Sequence, residues 1–404
     1  MGHMSSHRAI KLKDCLWLRG EFMDSQAGAA GERRSLERLG MKVDILKNRN
    51  DLPGLARLRR VIWNSDEHVV LSRLAPRELK ALFPIFKDRR NFSIVVCDWW
   101  SVPYWFTKNA EYQLYNLYNF LAVRSGRAPF ARFRETPLLQ RPDNNNWYTW
   151  TMQALRLVNL AACPVTELLN ERRRRTEPLD QKRMIYFPLA VEKEDVPLRD
   201  EEVKYDFSTL GSTNGLWLMR DPFAPSYFTG ANLYSDRRYL VEQIMACEGD
   251  SFRIYSVGRE KRFPPWVEYC QIARQSRFTF STGGLHEAAV PKYIEFACLG
   301  TPMIGRHLPF EFPWLDRCLF PLDPTTVNPH NIRARLDEAL SLYPKLKENC
   351  LNLREQLLRL YGFENLLQMA QDQIDGKPIP DGYLTPAARA GMPENRAQEA
   401  TVSR

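Results

Sequence analysis

The strongest constraint on the fold is a strand, a glycine-rich loop and a short helix that follow one another in residues 277–302. An alternating strand leads into Gly283 and Gly284, and Pro291 then suits the first turn of a helix. Gly300 marks the end of that helix and the start of the next strand. The free amides of such a loop and the positive end of the helix dipole face an incoming anion. The segment therefore predicts a site for a phosphorylated ligand.

Two charged side chains in the first turn of this helix favour the same ligand. Lys292 lies where the helix dipole disfavours a cation. A bound phosphate would make the electrostatic environment of Lys292 favourable instead. Glu295 lies three residues further on and shares its face. A buried carboxylate at that place can accept two hydrogen bonds from a ribose diol. Glu287 lies eight residues before Glu295, and His286 precedes it. We expect His286 to bind a donor-sugar hydroxyl or to act on the leaving phosphate.

This stretch resembles the donor-binding element of GT-B glycosyltransferases, the two-domain enzymes that use nucleotide sugars. Glu287 and Glu295 reproduce the E-x7-E spacing of the large retaining family 4. In that family the first glutamate contacts the transferred sugar and the second contacts the nucleotide ribose. The resemblance implies those roles for Glu287 and Glu295 here. It assigns no role to His286.

The flanking pattern is more similar to CgeB-type, spore-maturation-like glycosyltransferases, over roughly residues 204–370. Those proteins have a Gly-Ser turn after a strand, an arginine that opens a helix, a Ser-Lys/Arg strand and a basic residue three before the glutamate. The matching positions are Gly211-Ser212, Arg237 or Arg238, Ser276-Arg277 and Lys292. The resemblance implies a nucleotide-sugar site, and we assign to it Gly211, Ser212, Arg238, Gly283, Gly284, Lys292 and Glu295. Over residues 10–195 only the order of elements matches.

Strands alternate with helices in both halves of the chain, which predicts parallel sheets with right-handed crossovers. We expect an α/β protein with two Rossmann-like doubly wound domains, the GT-B arrangement, and a C-terminal helical segment. Residues 10–195 are the predicted acceptor domain and residues 204–330 the nucleotide-sugar domain. Amphipathic helices at 331–342, 346–360 and 364–374 make up a segment, 331–375, that we expect to bridge the domains. Residues 376–404 are predicted to be a disordered tail.

Ligands of open α/β sheets bind at the carboxyl ends of strands, which selects two further loops. One loop, residues 98–105, combines Asp98 with four aromatic side chains that suit stacking on an acceptor or a buried domain interface: Trp99, Trp100, Tyr104 and Trp105. The other loop contains Asp24. An inverting reaction needs a general base, and Asp98 and Asp24 are the candidates; retention needs neither. Each aspartate is alternatively a helix cap or a turn former.

Composition limits the partners and the location. The formal net charge of +9 favours anionic partners, namely nucleotide sugars, anionic membrane surfaces or nucleic acid. The eight cysteines lie far apart without metal-ligand spacing, so we expect no metal site and a reducing cytoplasm. No run of 18 apolar residues indicates a transmembrane helix. The basic run Arg172–Arg175 is either a solvated helix end or a peripheral contact with anionic lipid or a charged acceptor.

These features predict a metal-independent glycosyltransferase, either a hexosyl- or a pentosyltransferase. It would move a sugar from a nucleotide diphosphate to a glycan, lipid-linked or small-molecule acceptor, with no cofactor besides this co-substrate. Two alternatives remain from the sequence. One is a nucleic-acid-binding or DNA-modifying protein on a GT-B scaffold, and the other is a catalytically inactive sugar-nucleotide binder.

Overall fold

The computed structural model of the chain falls into two compact units. It describes residues 11–20, 27–46, 52–64, 68–72, 74, 93–96, 160–163, 184–211, 235–249, 252–257, 264–281, 291–308, 312–324 and 326–391. Unit 1 contains the described residues up to 96, those of 160–195 and those from 360 onward. Unit 2 contains the described residues of 196–359.

Unit 1 is built on a six-stranded parallel sheet. Its strands are β1 (Leu16–Gly20), β2 (Val43–Leu46), β3 (Val69–Ser72), β4 (Ser93–Val96), β5 (Leu160–Cys163) and β6 (Met184–Tyr186), in the order β2-β1-β3-β4-β5-β6. Its helices in the described ranges are α1 (Ala27–Arg38), α2 (Leu52–Asn64), α7 (Phe363–Ile374) and α8 (Pro386–Gly391). The apolar residues of β1 and β3 are almost fully buried, as expected for strands of a parallel sheet covered on both faces.

Unit 2 repeats this plan with five parallel strands. They are β7 (Tyr205–Thr209), β8 (Ile254–Ser256), β9 (Ser276–Ser281), β10 (Met303–Gly305) and β11 (Leu319–Pro321), in the order β11-β10-β9-β7-β8. The helices are α3 (Ser235–Ala246), α4 (Trp266–Arg274), α5 (Pro291–Cys298) and α6 (Ile332–Tyr361), and α6 lies in unit 2 as far as Arg359. Phe207, Phe278 and Phe280 pack with α3 and α6 in one apolar cluster.

Two predictions about the C-terminal third are wrong. The pattern around Pro344 predicts two helices, but α6 continues through it as one helix of 30 residues. A proline inside a helix removes a hydrogen bond, and buried Leu336 and Leu346 on either side hold the helix in place. The predicted disordered tail is ordered as far as Gly391, because Tyr383 is buried and its hydroxyl donates to Leu360 O at 2.6 Å. Residues 392–404 lie outside the described residues.

None of the helices in the described ranges is both long and apolar enough to cross a membrane.

Candidate functional site

The order of the strands in unit 2 selects one edge of its sheet as the place for a ligand. From β7 the chain moves outward to β8 on one side and then returns to β9 on the other, so the direction of winding reverses between β7 and β9. Ligands of such sheets bind outside the carboxyl ends of the strands at this switch point. Leu210 and Gly211 follow β7 there, Ser281 ends β9, and α5 begins at Pro291. The start of α5, at which the sequence predicts a phosphate site, therefore belongs to the connection that follows β9 at the switch point.

Lys292, in the first turn of α5, reaches from the helix to the end of β7. Its Nζ donates a hydrogen bond to Leu210 O at 2.7 Å. A Cβ built on Gly211 would lie 3.2 Å from the same nitrogen. The Nζ also lies 5.6 Å from the centroid of the Tyr269 ring, on α4. The ammonium group thus lies beside the backbone of the turn that follows β7.

A second cation lies beside the first. Arg237, in the first turn of α3, has its Nη1 3.6 Å from the Cβ position of Gly211. The two cationic nitrogens are therefore no more than about 7 Å apart, and two unit charges at that separation repel by roughly 2 kcal/mol at an effective dielectric constant of about 20. The resemblance matches either Arg237 or Arg238 to this position, and the sequence analysis assigned Arg238 to the site, which stays a prediction. Arg237 is the one whose guanidinium the structure places at Gly211, while the side chain of Arg238 lies outside the described residues.

The environment of Lys292 lowers its proton affinity. Burial, and then the positive charge of Arg237, lower the pKa of Lys292 from 10.5 to about 7, against the opposing effect of Glu295. A nearby anion would offset both the lost hydration and the repulsion, and would raise this pKa again. The pair of cations is therefore arranged to gain from a bound anion.

Glu295 lies one turn further along α5 and is only 5 % exposed. Burial, and then the Glu295 carboxylate, raise the pKa of Tyr269 well above its usual value. The Tyr269 ring stacks on Phe296 with a centroid distance of 5.7 Å, so α4 packs against α5. The site, which we call the switch-point site, consists of Gly211, Arg237, Lys292 and Glu295.

The sequence analysis missed Gly305, which shapes the neighbouring strand end. A Cβ built on this glycine would lie 1.8 Å from Ser281 O, and its φ of 150° is one that L side chains rarely adopt. The end of β10 therefore lies too close to the backbone of β9 for a side chain at position 305. A glycine at a strand end is common, so only the structure shows that glycine is required here.

Most of the other predicted site residues lie outside the described residues. They are Asp24, Asp98, Trp99, Trp100, Tyr104, Trp105, Ser212, Gly283, Gly284, His286 and Glu287. Their assigned roles therefore stay predictions. Of the predicted nucleotide-sugar residues, the structure brings Gly211, Lys292 and Glu295 together at one strand edge.

Unit 1 has a polar cluster at its own switch point, which the sequence analysis also missed. The winding reverses between β1 and β3, and Arg19 near the end of β1 is fully buried there. Its Nε lies 3.4 Å from Glu32 Oε1 on α1, and the hydroxyl of Ser72 at the end of β3 donates to the same oxygen. A buried arginine in an apolar strand needs such a carboxylate, but the sequence gives no sign of which one supplies it.

Within the described ranges, no group of three or more histidine, cysteine or acidic side chains is arranged to hold a metal ion.

Comparison with known proteins adds information on the fold. No protein-family profile and no curated protein sequence matches the chain. Among solved structures, sucrose-phosphate synthase from Thermosynechococcus elongatus has a TM-score of 0.52 at 10% sequence identity, over 88% of this chain and 98% of that chain. HepE from Anabaena, in complex with UDP and glucose, has a TM-score of 0.49 at 9% identity, over 90% and 99%. MurG from Acinetobacter baumannii has a TM-score of 0.33 at 9% identity, over 89% and 99%.

At 10% identity, the likeness to sucrose-phosphate synthase concerns the fold and not the activity. The two parallel sheets and this likeness confirm the predicted fold class: two Rossmann-like units of the GT-B type with a C-terminal helical segment.

Proposed function

We propose that the protein is a glycosyltransferase that transfers a hexosyl or pentosyl group from a nucleotide-diphosphate sugar to an acceptor. The observation that carries this proposal is the convergence of Lys292 and Arg237 on Gly211 at the switch point of unit 2, with Glu295 buried one turn further along α5. A pair of cations at a helix N-terminus suits a diphosphate, and a buried carboxylate beside it suits a ribose diol.

The spacing along α5 fits the two halves of such a ligand. Lys292 and Glu295 are three residues apart, which corresponds to about 4.5 Å along a helix axis. The diphosphate would bind at the first turn, against Lys292 and Arg237. The ribose would bind one turn further along α5, where the Glu295 carboxylate would accept hydrogen bonds from the ribose hydroxyl groups. The positions and charges of these three side chains support this orientation of the nucleotide.

In the transfer, the bond between the anomeric carbon and the diphosphate breaks, and its electron pair leaves on the diphosphate. The acceptor oxygen forms the new bond and loses its proton to a base, for which Asp24 and Asp98 remain the candidates in an inverting reaction. Lys292, Arg237 and the dipole of α5 stabilise the charge that develops on the leaving diphosphate. We propose that these groups take the part that a divalent cation has in metal-dependent transferases.

We place the protein in the cytoplasm, and we retain a peripheral contact with anionic membranes as a further proposal. The described cysteines Cys15, Cys247, Cys270, Cys298, Cys318 and Cys350 are free thiols, which supports a reducing compartment. The arginine run 172–175, on which the membrane contact rests, lies outside the described residues.

A binding screen followed by a turnover assay tests the proposed function. Thermal melts in excess EDTA should show stabilisation by one of the UDP-, GDP-, ADP- or dTDP-linked sugars, and a weaker effect of CMP-linked sugars, which carry one phosphate. A ligand at 100 times its Kd stabilises by about 2.7 kcal/mol, which a melt detects readily. Release of nucleoside diphosphate with an acceptor mixture should then continue in EDTA.

Three results would contradict parts of the proposal. Turnover that EDTA abolishes and magnesium or manganese restores would show that a metal takes part. Tight sugar-nucleotide binding without turnover for any acceptor tested would favour the inactive binder. A salt-dependent shift of random-sequence DNA, with no response to any sugar nucleotide, would favour the nucleic-acid-binding alternative.

A further inference from the structure

The hydroxyl group of Ser281 is a buried polar group without a hydrogen-bond partner among the described residues. Ser281 is the last residue of β9 and is 2% exposed, and within the described part of the chain its Oγ has no hydrogen-bond partner. Its backbone carbonyl, in contrast, accepts a hydrogen bond from Arg306 N at 3.2 Å. Buried polar groups in native proteins are almost always paired, so an unpaired one needs a reason.

The alternation of β9 places this hydroxyl on the face of the sheet that α5 covers. Phe278 and Phe280 point into the apolar cluster with α3 and α6, so Thr279 and Ser281 point to the opposite face. The connections through α3 and α5 run in opposite directions from the switch point. Right-handed crossovers therefore put these two helices on opposite faces. Ser281 thus faces the side of Lys292 and Glu295.

The register of β7 and β9 places Ser281 level with Lys292. Ser208 on β7 pairs with Thr279 on β9, and neighbouring strands are about 4.8 Å apart. When this register is continued by two residues, Ser281 lies beside Leu210. The carbonyl of Leu210 accepts the hydrogen bond from Lys292 Nζ. On the other flank, Gly305 closes the gap to β10, because no side chain fits between its Cα and Ser281 O. The Ser281 hydroxyl therefore lies at the same end of the sheet as the cationic side chains of Lys292 and Arg237.

We propose that the Ser281 hydroxyl is a ligand-binding group that donates a hydrogen bond to a phosphoryl oxygen of the nucleotide diphosphate. This inference rests on the proposed function. The charges at the level of Ser281 are those of Lys292 and Arg237, which suit phosphate, whereas the carboxylate of Glu295 lies one turn further along α5. A bound diphosphate would give the hydroxyl the acceptor that it lacks.

The test compares Ser281→Ala with the wild type, using UDP, GDP, ADP and dTDP and the matching nucleosides as probes. For the best-bound diphosphate, the variant should lose about tenfold or more in affinity, as expected for a hydrogen bond to a charged group. Its affinity for the nucleoside should be unchanged. The melting temperature of the empty variant should equal or exceed that of the wild type, because a buried unpaired hydroxyl is removed.

Ser208→Ala is the matched control on the neighbouring strand. The Ser208 hydroxyl is equally buried but is paired with Thr279 Oγ1 at 3.1 Å. Its removal leaves Thr279 without this partner, so the melting temperature should fall while nucleotide affinity stays the same. The two serines should therefore give opposite results in the two measurements.

Three outcomes would overturn the inference while leaving the proposed function in place. They are an unchanged diphosphate affinity of Ser281→Ala, an equal loss for nucleoside and diphosphate, and a clear loss of stability in the empty variant. An unchanged affinity would mean that Ser281 does not contact the diphosphate. An equal loss for nucleoside and diphosphate would mean that Ser281 contacts the nucleoside part instead. A loss of stability would mean that the hydroxyl has a structural role. A wild type that binds none of these nucleotides would instead refute the proposed function, and the inference with it.

Discussion

Replacing Lys292 by methionine should stabilise the empty protein near neutral pH and weaken its binding of nucleoside diphosphates. Methionine keeps most of the length of the side chain but removes the charge that lies beside Arg237 and against the dipole of α5. The opposite effects on folding and on binding are expected because the cation is unfavourable without an anion and favourable with one.

The pH dependence gives this prediction its magnitude. The folded-state pKa of Lys292 is about 7, whereas the unfolded chain has the ordinary value of 10.5. Between these values the unfolded state binds more protons, so the wild type gains stability as pH rises, by up to about 1.4 kcal/mol per pH unit. Below pH 7 the lysine is charged in both states and the slope vanishes. The advantage of Lys292→Met should therefore be largest below pH 7 and shrink by about 2 kcal/mol or more towards pH 9.

Urea denaturation of both proteins at pH 6.5, 7.5 and 9 measures the first effect. Calorimetric titration with the best-bound diphosphate at pH 8, in two buffers of different ionisation enthalpy, measures the second. A diphosphate raises the pKa of Lys292, so the wild type should take up a proton on binding and Lys292→Met should take up less. Lys347→Met is the control, because the Lys347 ammonium also lies over a tyrosine ring, 5.7 Å from Tyr343, but on α6. It should leave diphosphate affinity unchanged.

Identical pH slopes of stability for the wild type and Lys292→Met would refute the charge balance described for this site. A variant that is less stable when empty, yet binds the diphosphate normally, would show that Lys292 has a structural role and that the phosphate binds elsewhere.

Four further substitutions test the remaining residue roles. Glu295→Gln should lower nucleoside affinity about tenfold through the loss of charge-assisted hydrogen bonds, and unchanged affinity of a well-folded variant in calorimetry would reject the ribose role. In Gly211→Ala the new Cβ would lie 3.2 Å from Lys292 Nζ and displace it by a few tenths of an ångström, so diphosphate affinity should fall several-fold with little change in melting temperature. In Gly305→Ala the new Cβ meets the backbone of Ser281 and should destabilise unit 2 severely. The reverse ranking of the two melting temperatures would contradict this geometry. Glu32→Gln removes the negative charge beside the buried Arg19 and should lower the free energy of unfolding by about 3 kcal/mol or more in urea denaturation, whereas a near-neutral result would contradict a stabilising role of this ion pair.

The site residues that the sequence could predict depend on local structure. Pro291 fixes the start of α5, and the helical period then puts Lys292 in the first turn and Glu295 on the same face. Arg237 and Arg238 are adjacent, so the pattern could not choose between them. Because α3 begins at Ser235, Arg237 lies on the side of the helix from which its guanidinium reaches Gly211.

Other features depend on contacts between distant parts of the chain. The pairing of Arg19 with Glu32 requires the packing of α1 on β1, and the demand for Gly305 arises only where β10 meets β9. Composition alone also misjudged the C-terminal segment. Tyr383 lies in a polar, proline-containing stretch, yet its ring packs edge-on against Tyr361, with a centroid distance of 5.5 Å, and burial raises its pKa to about 12. Buried Tyr383, Leu384 and Ala388 thus anchor a segment that its composition predicts to be disordered.

A crystal structure with the best-bound nucleoside diphosphate is the most direct test of the proposed site. We expect the diphosphate at the first turn of α5, with phosphoryl oxygens about 3 Å from Lys292 Nζ and from a guanidinium nitrogen of Arg237. The ribose hydroxyls should lie against Glu295. A nucleotide bound at any other strand end, with Lys292 Nζ still donating to Leu210 O, would contradict the proposed site.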